Sequence, residues 1–258
     1  MSAQGDWSPR DVPPPADIEQ QPAQSAPAQP FWGYTDLLLF LGLTLFSVLL
    51  VVVGVAAALV LIPALNRQRE LAALPAQVVL YVLIYLALWF IFRVKYGRPM
   101  WRSLGWLRSK IPLWASLLGG VGLSVFVGVV GAALRTPQIP SPFDKFMQGP
   151  FWIAVFGLFA VLLGPVTEEV IFRGFIQPLL SRSLGITAGI LLTALVFGAL
   201  HLPEYSDVWQ YMVLITVVGF CLGWVRAIGQ SLIPAAVMHA GFNAVFFFTE
   251  LFQKHLHL

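Results

Sequence analysis

Long apolar runs follow one another from residue 34 almost to the end of the chain, and they constrain the fold more than any other feature. A helix needs about 20 apolar residues to cross a hydrocarbon core roughly 30 Å thick. Seven runs meet or approach that length: Thr35–Ile62, Pro75–Phe92, Leu113–Leu134, Phe151–Leu180, Ile186–His201, Trp209–Val225 and Leu232–Phe252. Hydrophobic residues make up 58% of the chain and charged residues only 10%, whereas a soluble domain carries about a quarter charged residues. The sequence predicts an all-α, multi-pass transmembrane helical bundle of about seven to eight helices.

Two of these runs are irregular. Ile186–His201 is short for a membrane span, and Phe151–Leu180 contains Pro178 after its two glutamates. Proline removes a backbone donor from a helix and kinks or ends it. The stretch around Pro178 is therefore expected either to continue across the membrane or to lie along its surface.

The composition divides the chain into four regions. Residues 1–33 are rich in proline, alanine and glutamine, a mixture that buries too little apolar surface to fold, so this tail is predicted to be disordered. Residues 34–150 are expected to form an N-terminal set of transmembrane helices, residues 151–252 a transmembrane core that contains the ionisable residues described below, and residues 253–258 a short C-terminal tail.

Basic residues indicate the orientation of the chain in the membrane. Six of them lie between residues 93 and 110, and loops rich in lysine and arginine stay in the cytoplasm. Counting helices outward from that loop places the N-terminus in the cytoplasm as well. We expect an integral protein of the plasma (inner) membrane with a cytoplasmic N-terminus. The net charge of +3 thus reports orientation and does not call for a nucleic-acid partner.

Two adjacent glutamates and an arginine lie inside the fourth apolar run. Ionisable groups are costly within a membrane, so they indicate function unless they have a structural partner. Glu169 and Arg173 are four residues apart on one helix face and are predicted to form an ion pair. Glu168 points about 100° away, which leaves its carboxylate free for chemistry.

Two histidines lie on later helices at depths that match the glutamates. With a rise of 1.5 Å per residue, Glu168 lies roughly 24 Å and His201 roughly 21 Å from the turn that joins their helices. On the last helix, His239 and Asn243 are four residues apart and share a face, with Gly241 between them. Three helices are therefore predicted to converge on one polar site.

These residues carry a resemblance to a known family. The order Glu-Glu-x-x-x-Arg, Phe-x-x-x-His and His-x-x-x-Asn resembles the CPBP family of CAAX prenyl proteases and bacteriocin-processing proteins, also called the Abi family. The similarity extends over Phe151–Phe248, and no motif position departs from it. The resemblance implies a bundle of eight helices and a membrane-embedded peptidase site at six positions: Glu168, Glu169, Arg173, His201, His239 and Asn243.

Peptide hydrolysis needs an activated water, a base and a donor facing the developing oxyanion. In one interpretation Glu168 is the base for a water also held by His201, while His239 and the Asn243 amide face the oxyanion. In the other, zinc or another divalent metal is bound by Glu168, His201 and His239, a ligand set found at catalytic zinc sites. The family is described both as metalloprotease and as metal-independent glutamate protease, and the sequence leaves both open.

Other functions were weighed against an intramembrane endopeptidase. A rhomboid-like serine protease would need Ser124, but Gly120, Ser124 and Gly128 recur every four residues, as in close helix packing. A non-catalytic scaffold that binds membrane peptides, or an ion-coupled transporter, would also contain buried charges. No nucleotide-binding glycine loop is present. The expected partners are the lipid bilayer and a membrane-associated protein or peptide substrate, prenylated or hydrophobic, with neither nucleic acid nor nucleotide.

Overall fold

The computed structural model describes residues 30–66, 72–139, 146 and 149–256. Within those ranges all regular secondary structure is helical. Seven long helices are present: α1 (Tyr34–Leu61), α2 (Ala73–Lys95), α3 (Leu113–Ala133), α4 (Pro150–Leu184), α5 (Ile186–Leu200), α6 (Trp209–Gly229) and α7 (Leu232–Leu256). Six of them are long and apolar enough to span a membrane, and α5 is shorter. The prediction of a multi-pass helical membrane bundle is confirmed.

The two predicted tails differ from the structure where it describes them. Residues 1–29 lie outside the described ranges, but Trp32 is only 3% exposed, so the prediction that disorder extends to residue 33 is wrong for the last residues of that segment. At the other end, α7 continues to Leu256 instead of ending before a tail at residue 253. Residues 30–33 are apolar and pack although a stretch rich in proline precedes them, whereas residues 253–256 are mostly polar and stay helical.

Helix α4 is continuous and does not end at Pro178. It has 35 residues, which corresponds to about 52 Å, and Glu168 and Glu169 lie near its middle. Two π-helical segments interrupt the α-helical bonding, at Phe159–Leu163 and Val170–Ile176. The glutamates belong to the six-residue α-helical segment between them, Gly164–Glu169.

Proline explains where both π segments end. Gly164 N–H donates five residues back, to Phe159 O, and Pro165 follows it directly. Gln177 N–H likewise donates to Phe172 O and precedes Pro178. Proline has no N–H, and its ring would clash with the carbonyl four residues earlier in a regular helix. A π turn accommodates one extra residue, so the helix continues through both prolines.

Close helix contacts bring the site-bearing segments together. Helix α3 packs along α7, α5 along α6, and the second half of α4 against α5. Gly120 of α3 faces α7 so closely that a Cβ there would meet Met238 O and Phe242 N. This contact fixes the part of α7 that carries His239. Of the predicted small-residue stripe, Gly120 and Ser124 are buried, whereas a Cβ at Gly128 would meet nothing within 4 Å.

Candidate functional site

A buried ion pair lies at the centre of the site. Arg173 Nη1 donates to Glu169 Oε1 at 2.7 Å, and both side chains are 0% exposed. Arg173 Nη2 also donates to the Gly219 carbonyl of α6 at 3.0 Å. The ion pair predicted from the four-residue spacing is therefore present, and it also links α4 to α6.

Glu169 has a second partner on α7. His239 Nδ1 lies 2.9 Å from Glu169 Oε1, the oxygen that also accepts from Arg173. Because a carboxylate oxygen accepts, Nδ1 carries the proton and Nε2 points away from Glu169. The other carboxylate oxygen, Glu169 Oε2, is buried and has no hydrogen-bond partner among the described residues. Glu169 thus fixes the orientation of the His239 ring, a contact that the sequence did not reveal.

Glu168 is the more accessible of the two glutamates. Its side chain is 28% exposed, and its Oε2 lies 3.7 Å from His239 Nε2. That separation is too long for a direct hydrogen bond. The carboxylate therefore faces the outer nitrogen of a histidine whose inner nitrogen is already bound.

His201 lies immediately after the last residue of α5. Its Nδ1 lies 2.7 Å from the Phe197 carbonyl, which can only accept, so Nδ1 carries the proton and Nε2 is the free nitrogen. The ring packs on the Phe197 side chain at a centroid distance of 4.6 Å. This hydrogen bond leaves Nε2 as the nitrogen of His201 that is available for other contacts.

Phe197 joins the three helices. Its ring lies 6.0 Å from His239 in an edge arrangement and 5.1 Å from Phe172, and the Arg173 guanidinium lies 4.4 Å from its centroid. The predicted convergence of α4, α5 and α7 is thereby observed. The sequence motif includes Phe197 only as its first residue. The four-residue spacing between Phe197 and His201 is the feature of the sequence that indicates their contact.

Asn243 is bound to α4. Its Nδ2 donates to the Ala160 carbonyl at 2.8 Å. Ala160 O lies in the first π segment, where its usual α-helical donor, Gly164 N–H, bonds to Phe159 O instead and the next residue is proline. Asn243 therefore supplies a donor to a carbonyl that the π turn leaves without one. One of its two amide hydrogens is used for this purpose.

Glu204 adds a further carboxylate near the site, in the short helix Leu202–Tyr205. Its backbone N–H donates to His201 O. Burial raises the pKa of the Glu204 carboxyl above its ordinary value, His201 lowers it in part, and the Glu168 carboxylate adds to the rise. The Glu204 residue is nevertheless exposed at the surface of the protein.

The candidate metal ligands do not form a ligand set. In the part of the chain that the structure describes, no three His, Cys, Asp or Glu side chains are grouped so that they could hold a metal ion. Each histidine uses Nδ1 in a hydrogen bond to a protein oxygen, which leaves Nε2 as the nitrogen that would bind a metal. As placed, Glu168, His201 and His239 do not fit the four-coordinate geometry that zinc requires.

A comparison with protein families finds a match for the part of the chain that carries the site residues. Residues 150–245 match the model of a family described as Type II CAAX prenyl endopeptidase Rce1-like. All six site residues lie within that range, whereas α1, α2 and α3 lie outside it. No curated protein and no solved structure shows a significant match to the chain. The resemblance inferred from the three motifs is confirmed.

Proposed function

We propose that this chain is an intramembrane endopeptidase whose base is Glu168, because residues 150–245 match the model of the Rce1-like family of CAAX prenyl endopeptidases. Its substrate is a membrane-associated protein or hydrophobic peptide, and a prenylated one in particular. The observation that carries the proposal is the orientation of His239, which Glu169 holds with Nε2 turned towards Glu168. Two carboxylates thus have separate functions, one orienting a histidine and one facing the reacting groups.

The proposed reaction begins with a water held by Glu168 and His201. A water about 2.8 Å from Glu168 Oε2 is within hydrogen-bonding distance, and His201 Nε2 is free to accept from it. Glu168 takes a proton as the water oxygen attacks the peptide carbonyl, then transfers it to the leaving amine. The second proton of the water passes from the new carboxyl group to the amine, so the products are a carboxylate and an ammonium group and both protons of the water are accounted for.

His239 faces the oxyanion in this scheme. Its Nδ1–H is held by Glu169, and a proton on Nε2 donates to the developing negative charge.

Asn243 contributes in two ways. One amide hydrogen is bound to Ala160 O and holds the first π segment. The second is the additional donor that we assign to the oxyanion. The scheme uses protein groups and water, so no metal is required. We further propose that the chain lies in the plasma (inner) membrane with its N-terminus in the cytoplasm, as the basic loop between α2 and α3 favours.

Purified protein in phosphatidylethanolamine and phosphatidylglycerol liposomes tests this function. The probe is an internally quenched peptide that ends in a farnesylated cysteine followed by three residues, with the unfarnesylated peptide as a second arm. We expect the unsubstituted protein to cleave the probe and Glu168→Ala to leave it intact. Asp207→Asn is the matched control, since Asp207 is exposed with φ 59°, a conformation that asparagine tolerates.

The two arms of this assay identify the substrate class. Cleavage restricted to the farnesylated peptide would assign the prenyl group to recognition, whereas equal cleavage of both would indicate a hydrophobic peptide in general. Equal rates for the unsubstituted protein and Glu168→Ala would refute the proposed peptidase and favour a non-catalytic scaffold.

A further inference from the structure

Trp32 lies just before α1 and contacts the helix that carries the glutamates. Its side chain is buried, and its indole Nε1 donates to the Phe175 carbonyl at 3.1 Å across 143 positions of sequence. Tryptophan at a membrane surface commonly contacts lipid head groups. Here the indole is enclosed by protein instead, which indicates a function within the bundle.

The ring contacts of Trp32 fix its position. The indole stacks on the Phe175 ring with centroids 5.9 Å apart and planes at 12°, and it meets Phe92 of α2 edge-on at 5.1 Å. Aromatic pairs of this kind add to the stabilisation that burial gives. Trp32 therefore joins the end of α2 to α4 through both rings and its hydrogen bond.

Polar contacts on both sides hold the segment that carries Trp32. On one side, Arg182 Nη1 donates to Pro30 O at 2.6 Å. On the other, Asp36 accepts from Gly33 N–H at 2.9 Å, from Tyr96 OH at 2.7 Å and from Lys95 Nζ at 2.5 Å. Asp36 is itself only 2% exposed. The approach of Trp32 to α4 is thus determined by a structured segment and not by a single contact.

Phe175 belongs to the second π segment, so the contact of Trp32 with Phe175 bears on the conformation of that segment. A π segment contains one residue more than the α-helix would need there. A return to α-helical bonding would rotate the helix before the segment by about 100° relative to the helix after it. Gln177, just after the segment, is held to α6 by its hydrogen bond to Gly223 O at 3.0 Å. The rotation would therefore turn Glu168 and Glu169 away from His239.

We propose that Trp32 is a positioning residue for the peptidase site: by holding the Phe175 carbonyl and ring, it keeps the second π segment in register. The glutamates then face His239. This inference rests on the proposed function for its effect on turnover, but the register itself can be measured without any substrate. Asn243 has the corresponding contact at the first π segment, through Ala160 O. Each π segment thus has one side-chain donor from another helix or segment.

Trp32→Phe tests the hydrogen bond while keeping an aromatic ring. Amide hydrogen exchange of residues 170–177, measured by mass spectrometry on the full-length protein in detergent, should rise about two- to tenfold, as expected for one lost side chain to backbone hydrogen bond. Exchange in α3 should not change. Trp114→Phe is the matched control because Trp114 is 67% exposed on the outer face of α3.

Cleavage of the farnesylated probe supplies the second readout. Trp32→Phe should lower kcat about two- to tenfold with KM unchanged, per folded protein in the monodisperse fraction. A purely structural function would reduce the folded fraction and leave kcat per folded molecule unaltered. Trp114→Phe should match the unsubstituted protein in both kcat and KM.

The outcomes separate this inference from the proposed function. Unchanged exchange in Trp32→Phe overturns the inference, and so does raised exchange with unchanged kcat. Absence of cleavage by the unsubstituted protein would refute the proposed function instead, and exchange alone would then decide whether Trp32 holds the π register. Raised exchange together with a fall in kcat at constant KM supports both.

Discussion

His239 Nδ1 and Arg173 Nη1 converge on one oxygen, Glu169 Oε1, at 2.9 Å and 2.7 Å. Through this shared acceptor Glu169 joins α4 to α7, as Asn243 also does by its bond to Ala160 O, while Arg173 continues the connection to α6. Glu168, one position earlier on the same helix, takes no part in that network except to face His239 Nε2. Adjacent residues of the same type therefore occupy different environments.

Substituting the two glutamates separately should give different phenotypes. Glu169→Gln removes the charge that balances fully buried Arg173, and loss of one partner from a buried pair costs about 3–5 kcal/mol. Glu168→Gln changes a partly exposed side chain and should leave the melting temperature in detergent nearly unchanged while lowering turnover by about 10²–10⁴-fold. Thermal unfolding of both variants checks this. Equal melting losses would show that the division of functions is wrong.

Asn243→Ala should destabilise the protein by about 1–3 kcal/mol, because it leaves the Ala160 carbonyl without the donor that replaces its backbone partner. Asn243→Asp should do no better, since a carboxylate cannot donate to a carbonyl. Gln253→Ala, an exposed position on the same helix, is the control. Unfolding in detergent measures all three, and a neutral Asn243→Ala would contradict the assigned contact.

Gly120→Ala should displace α7 from α3, because the added Cβ would collide with Met238 O. Overpacking of this kind costs about 1–3 kcal/mol, and cleavage should fall because α7 carries His239. Gly122→Ala is a matched control, since a Cβ there meets nothing within 4 Å. The comparison requires unfolding and turnover of both variants. Indistinguishable results for the two alanines would argue against the close approach of these helices.

Exhaustive chelation of the purified, active protein should leave most of its cleavage activity. The expectation follows from a scheme that needs only water and protein groups, and from the lack of a three-residue metal-ligand group among the described residues. Residual activity and metal content would be measured on the same sample. Activity lost on chelation and restored by stoichiometric zinc would contradict it, particularly if His201→Ala and His239→Ala both lost the bound metal.

The sequence predicts the helices and one ion pair well because both depend on local patterns. Long apolar runs define spans independently of their neighbours, and Glu169 with Arg173 satisfies a four-residue spacing. The contact of Glu169 with His239 joins positions 70 residues apart. No local spacing predicts such a contact, so the second partner of Glu169 was missed.

The π segments of α4 and the burial of Trp32 were not predicted, because the sequence features at these places allow more than one interpretation. Pro165 and Pro178 indicate a disturbance of α4, but proline alone does not distinguish a kink, a helix end or a π turn. Trp32 lies near the end of the stretch 1–33, whose composition predicts disorder. Its ring contacts with Phe92 and Phe175 show that it belongs to the bundle. In both places the conformation depends on contacts with other parts of the chain, which local sequence does not show.

The central claim is that Glu168 and His201 act on one water as a single unit, and the most direct measurement is kcat/KM for Glu168→Gln, His201→Gln and the double variant on the same probe. Each single substitution should lower kcat/KM by about 10²–10⁴-fold, the usual contribution of a positioned proton-transfer group. The double variant should lose little more than the worse of the two, because residues that act as a unit are not additive. Wild-type rates in Glu168→Gln, or losses that multiply in the double variant, would contradict the account.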